Sequence, residues 1–141
     1  MHAIAIYESL TGNTRRAAEL IVADLVAAGH EAVACPTSAI DYQALHEADL
    51  VIVGGWTDGF FVVGQRPGRA GRLKKLPTLV GRRAVCFITY ALDPGKALEK
   101  LIAIVEARGA VVEGGMTIRR DRLEPGAHDF AERVLANVAV S

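Results

Sequence analysis

Ser9-Leu10-Thr11-Gly12-Asn13-Thr14 is the stretch that decides how this chain is read. An apolar run, Ala3-Ile4-Ala5-Ile6-Tyr7, precedes it, and a helix-patterned segment begins near Asn13. Hydroxyl groups at three positions surround a glycine where a strand hands over to a helix. The first turn of a helix offers unpaired N–H groups and a partial positive charge, and the hydroxyls add uncharged donors, so the stretch suits a phosphate. Gly12 lets the backbone turn sharply and come close to an anion. Ser and Thr are equally favoured as plain helix caps. The hexapeptide by itself leaves both readings open.

Ala17, Ala18, Ile21, Leu25 and Ala28 then recur at helical spacing, and Gly29 supplies a stop. Glu31 to Cys35 reads as a short second strand ended by Pro36, and residues 38–47 as loop with a turn or two of helix. Leu50-Val51-Ile52-Val53, bounded by Gly54-Gly55, reads as a third, buried strand. The following Gly54-Gly55-Trp56-Thr57-Asp58-Gly59-Phe60-Phe61 is expected to be a loop, and it holds three of the chain's eight aromatic residues. Residues 62–83 are rich in Gly, Pro and Arg, with a short helix expected around Arg69 to Leu76. Ala84 to Thr89 makes the fourth strand, followed by Tyr90-Ala91-Leu92. Asp93-Pro94 reads as the cap and first position of a helix. Its buried stripe is Leu98, Leu101, Ile102 and Val105, and Gly109 ends it. Val111-Val112 and Met116 to Ile118 read as a last strand interrupted at Gly114-Gly115, a place for a bulge. A final helix is expected from about Gly126, with Phe130, Val134, Leu135 and Val138 inward.

Five strands alternating with helices predict an α/β, doubly wound architecture: a parallel sheet with helices on both faces, in a single domain over residues 1–141. Ligands of such sheets sit at the carboxyl ends of the strands, where strand order reverses. The ends of strands one, three and four are therefore expected to converge. Convergence favours the phosphate reading over the plain cap.

The totals narrow the field. Of 141 residues, 51% are apolar, which excludes a disordered chain, and the shortage of aromatics (6%) against Ala, Val, Leu and Ile suits buried parallel strands. No apolar run has the length of a membrane span, and the N-terminus lacks the order of a signal peptide, so no membrane insertion and a soluble, cytoplasmic protein are expected. Cys35 and Cys86 lie in predicted strands and are read as buried, reduced thiols. The four histidines are scattered without metal-ligand spacing, and Ser9 is not in a nucleophile elbow. No catalytic residue and no metal ligand are therefore assigned. Glu8 is given no role, and Arg119-Arg120-Asp121-Arg122 is read as a solvated loop. Net charge is zero, yet residues 59–92 carry seven basic residues and no acidic one. Nucleic acid is excluded as a partner, because there is no recognition motif and the basic residues are not interleaved with aromatics.

Tyr7-Glu8-Ser9-Leu10-Thr11-Gly12-Asn13-Thr14, continuing through Ala17-Ala18, resembles the signature of the flavodoxin family: an aromatic, a Ser or Thr, Thr-Gly-x-Thr, and a helix with alanines. The element order and length resemble its short-chain form, which implies a five-stranded sheet in the order 2-1-3-4-5. The resemblance also implies FMN, held non-covalently. Carried over by position, Ser9, Thr11, Asn13 and Thr14 become phosphate donors, joined by the backbone N–H groups of Leu10 and Gly12. The isoalloxazine is expected between the loop Gly55-Trp56-Thr57-Asp58-Gly59 and the loop Thr89-Tyr90-Ala91. The chain departs from the family where Asp58 stands in place of the usual stacking aromatic, so Trp56, Phe60, Phe61 and Tyr90 are the candidates for stacking.

Such a protein is expected to carry electrons to or from a redox partner protein. The basic residues Arg66, Arg69, Arg72, Lys74 and Lys75 are expected near the flavin edge, where they would raise its potentials and receive an acidic partner. Two alternatives stay open: a small FMN-dependent NAD(P)H, quinone or porphyrinogen oxidoreductase, and a binding module of this fold that has lost its flavin.

Overall fold

His2–Tyr7 (β1) has five consecutive buried residues, the pattern of a strand covered on both faces, and it lies in the middle of the sheet. The computed structural model describes residues 1–59 and 64–138. Its strands are β1, Glu31–Pro36 (β2), Leu50–Asp58 (β3), Arg66–Pro67 (β4), Arg83–Tyr90 (β5) and Val111–Arg119 (β6). The order is β2-β1-β3-β5-β6, all parallel, with β4 folded back antiparallel onto the end of β3. Setting the two-residue β4 aside, this is the expected 2-1-3-4-5 arrangement.

Alternate residues of the strands feed two cores. Ala3, Ala5, Leu50, Ile52, Val85 and Phe87 face Asn13–Ala27 (α1) and Leu123–Asn137 (α5), where Phe87 and Phe130 meet edge to face at 5.7 Å. Ile4, Ile6, Val51, Val53, Cys86 and Ile88 face the other way, onto Tyr42–Glu47 (α2), Ala70–Leu73 (α3) and Ala97–Ala107 (α4). Each Ile or Leu fully buried in this way stabilises the fold by about 2 kcal/mol relative to exposure. Helices on both faces leave only the strand ends open.

Four boundaries differ from expectation, each for a physical reason. Gly54 and Gly55 do not end the third strand, which continues to Asp58 and pairs through Trp56 with Thr89. A side chain at Gly54 would lie 2.2 Å from the Phe87 ring, so glycine here makes room for a core aromatic rather than a turn. Asp93-Pro94 does not start α4: the Asp93 carboxylate accepts from the Gly95 amide at 2.9 Å, and Gly95 has a φ of +51°, so the helix waits until Ala97. The short helix expected from Arg69 is confined to Ala70–Leu73, since Arg69 itself is left-handed. The last helix begins at Leu123, ahead of Gly126, after a single 3₁₀ turn over Arg120–Arg122.

The last strand is continuous, and its register against β5 slips at Glu113: Ala84 pairs with Val112 and Val85 with Gly114. That is a bulge one residue before the two glycines. Cys35 and Cys86 are buried and unpaired, and burial pushes both thiols above their ordinary range. No helix among the described residues is long and apolar enough to cross a membrane.

Candidate functional site

The carboxyl ends of β1, β3 and β5 meet in one cleft of about 210 Å³. Residues 9–14 form its first wall. Gly12 turns the chain at φ +96°, a conformation that strains any side-chain-bearing residue, and hands over to α1. The Ser9 hydroxyl oxygen accepts from the amides of Gly12 (3.2 Å) and Arg15 (3.4 Å), which folds the loop around its own centre. Asn13 Nδ2 donates to Thr11 Oγ1 at 3.4 Å. The amides of Leu10, Thr11, Asn13 and Thr14 have no protein acceptor among the described residues.

The second and third walls come from Trp56-Thr57 at the end of β3 and Thr89-Tyr90-Ala91 at the end of β5. Thr14 and Thr89, both buried, join these walls to the first through a hydroxyl–hydroxyl bond of 2.9 Å. Thr89 has one proton and two acceptors in reach, Thr14 Oγ1 and the Gly55 carbonyl at 3.4 Å. Giving that proton to Thr14 frees the Thr14 proton for an anion in the cleft. Trp56 lies flat over Gly68, where an added Cβ would fall 2.0 Å from the indole. Its Nε1 and the hydroxyl of Thr57 are buried without a hydrogen-bond partner among the described residues. Buried polar atoms without a partner are uncommon.

Ten of the fourteen residues singled out from the sequence therefore line this cleft. Gly12 shapes the loop and opens on the neighbouring cavity. Gly55 is buried within β3 against Ile88 and Leu73. Asp58 pairs with Arg66 at 3.8 Å and donates nothing to the cleft, while Gly59 packs against the carbonyl of Gly64. Phe60 and Phe61 lie outside the described residues.

A model of the flavodoxin domain matches residues 4–112. The chain belongs to the flavodoxin family. Its fold is similar to solved flavodoxins, among them the two-electron reduced protein of Megasphaera elsdenii (20% identity, TM-score 0.71, covering 92% of this chain and 98% of that one). A cysteine-to-serine mutant of the Pseudomonas aeruginosa flavodoxin is similar too (17% identity, TM-score 0.73, 96% and 97% covered). So is oxidised Flavodoxin 2 of Bacillus cereus (26% identity, TM-score 0.64, 94% and 99% covered). No curated protein matches the sequence.

Two features of this flavodoxin were missed from the sequence. Arg120, assigned to a solvated loop, stands on the cleft wall with Asn13 and Tyr90. Glu8, assigned no role, is 3% exposed, and its Oε1 accepts from Arg69 Nη1 at 3.2 Å and Arg72 Nη1 at 3.1 Å. The Thr37 hydroxyl donates to Glu8 Oε2. Arg69 and Arg72 thus lie beside the loop of residues 9–14, and none of Arg66, Arg69, Arg72, Lys74 and Lys75 lines the Trp56–Tyr90 cleft. Run-length of positive charge signals the two arginines, but nothing in the spacing of residues 8, 69 and 72 signals that they meet.

Proposed function

We propose that this flavodoxin is an FMN-binding electron carrier. The observation that carries the reading is the cleft itself: a loop with hydroxyls and with amides that have no acceptor among the described residues, at a helix N-terminus, facing an indole and a phenol across a gap at the strand ends. The donor set fits a phosphate ester, since residues 9–14 contribute amide and hydroxyl donors and no cationic side chain. The phosphate is held by the amides of Leu10, Thr11, Asn13 and Thr14 and the hydroxyls of Ser9, Thr11 and Thr14. Trp56-Thr57 and Tyr90-Ala91 would hold the ring.

FMN, when bound, supplies one- or two-electron transfer at its ring. Trp56 and Tyr90 exclude water from the ring faces, which raises the cost of charge there. Arg120 at the cleft wall favours added negative charge, so the potentials of this chain lie above those of a relative without a cation at that position. Electrons pass to or from a redox partner protein, with an acidic protein suited to the exposed parts of Arg66, Arg69, Arg72, Lys74 and Lys75.

The test is a visible spectrum of the purified protein, followed by titration of the apoprotein with FMN under flavin fluorescence. Tight quenching by wild type, weakened at least tenfold in Thr11→Ala, supports the reading. A colourless protein that leaves FMN fluorescence unchanged rejects it and leaves a binding module of the same fold. Steady-state turnover with NADPH and a quinone distinguishes an oxidoreductase from a carrier, which lacks it.

A further inference from the structure

A second cavity, of about 340 Å³, lies between the loop of residues 9–14, the turn after β2 and the two arginines Arg69 and Arg72. It is bounded separately from the Trp56–Tyr90 cleft, whose wall holds Arg120 and neither of these arginines. Glu8, almost wholly buried, stands on its wall with both carboxylate oxygens engaged. Oε1 accepts from Arg69 and Arg72, and Oε2 from the Thr37 hydroxyl.

That arrangement exceeds what a structural tie requires. One arginine neutralises one carboxylate, and here a single carboxylate oxygen holds two, so the cluster keeps a net positive charge. Glu8 also offsets the repulsion between the two guanidiniums and fixes them side by side. Each gives Glu8 only its Nη1, and the Nη2 and Nε of both have no acceptor among the described residues. The side chains are 39% and 55% exposed, so these donors are open to a ligand. Arg15 shares the wall, but its Nε is given to Glu19 at 2.8 Å. Ser38, exposed in the turn after β2, adds a hydroxyl with no partner among the described residues. Among those residues, no acidic side chain other than Glu8 lines the cavity. Arg69 is also the one described non-glycine residue with positive φ (+50°), a strained backbone that persists only where its surroundings fix it.

We propose that this cavity is a second oxyanion site, for the dianionic phosphoryl group of free phosphate or of a small phosphate ester. Guanidiniums bind such a group through forked N–H donors, and two of them side by side offer more donors than a carboxylate can accept. A phosphoryl group brings three strong acceptor oxygens to Arg69, Arg72 and the Ser38 hydroxyl. Its double negative charge meets the net positive charge of the cluster. The site goes beyond the flavin reading and stands without it, since residues 9–14 bring amides and hydroxyls of their own.

Inorganic phosphate is titrated by calorimetry into the FMN-loaded protein, in phosphate-free buffer at fixed ionic strength. One phosphate is expected to bind per molecule without release of FMN. Arg72→Ala is expected to weaken it at least tenfold, and so is Arg69→Gly, which suits the left-handed backbone. Lys75→Ala removes a cation that lines a different cavity and is expected to change it less than twofold. Far-ultraviolet circular dichroism shows that each variant keeps its fold. Ribose 5-phosphate binding tighter than phosphate identifies an ester as the ligand, equal or weaker binding identifies the free ion, and either supports the site. No phosphate binding, no loss in Arg72→Ala and Arg69→Gly, or an equal loss in Lys75→Ala overturns the site and leaves the FMN reading standing. If the chain binds no FMN, the titration is made on the apoprotein. Phosphate binding that Arg72→Ala weakens and Thr11→Ala does not then supports the site, and the reverse overturns it.

Discussion

Thr14 shows how one side chain serves both the fold and the site. Its hydroxyl is buried against Thr89, tying the start of α1 to the end of β5. Thr14→Ala removes that bond and leaves the Thr89 oxygen with only the longer contact to Gly55. The expected cost is about 1 kcal/mol in urea unfolding of the apoprotein. FMN affinity falls as well, by more than that stability change accounts for. Arg120 acts differently, because it stands exposed on the cleft wall and contributes its charge. Arg120→Gln is expected to raise the FMN dissociation constant roughly threefold at low ionic strength, with the difference fading above about 0.5 M salt. A salt-independent loss would mean that the guanidinium acts by packing instead. Neither Arg120 nor Glu8 was legible as a site residue. A charged residue at a strand or helix boundary has many structural uses, and what brings Arg69 and Arg72 to Glu8 is a chain reversal more than sixty residues later.

At the scale of elements, the presence and order of the strands were legible and the end of β3 was not. Alternating apolar runs located β1, β2, β3, β5 and β6, and residues 9–14 located the switch point. Gly54-Gly55 was misleading because glycine has two uses in a strand: it breaks the strand, or it yields space to a neighbour. Phe87, thirty-three positions later, decides for the second use. The same logic applies to Gly68, whose missing side chain is the seat of the Trp56 indole. Gly68→Ala must push the indole out of the cleft wall or lift β4 from β3. Trp56 is the only tryptophan in the chain, so intrinsic fluorescence reports this change directly. The variant is expected to show a red-shifted emission and a weaker FMN complex, with far-ultraviolet circular dichroism unchanged. An unshifted spectrum would place the indole's seat elsewhere.

Across the whole molecule, α1 and α5 lie side by side on one face of the sheet and are bridged at the surface by Asp24 and His128. The hydrogen bond that His128 donates to Asp24, with the carboxylate's charge, raises the His128 pKa above its ordinary value. The folded state then binds its proton more tightly than the unfolded chain, so the pair's contribution is full below about pH 6.5 and is lost as pH rises through the raised value. Urea midpoints measured from pH 5.5 to 8.5 are expected to decline over that window, and His128→Asn should flatten the decline. His128 is exposed and Asp24 half-buried, so the effect is small and salt-sensitive.

The slip of register at Glu113 has a consequence for life in a crowded solution. β6 closes one side of the sheet, and an outer strand with a free row of amides and carbonyls invites a second molecule to add itself there. Doubling one residue against Ala84–Val85 throws that row out of step, while Arg83 clamps Glu113 across the gap and holds its carboxylate ionised below the usual range. The border that results is kinked and charged, which makes it a poor template for chain-to-chain growth. A single extra residue thus guards the molecule against its own copies.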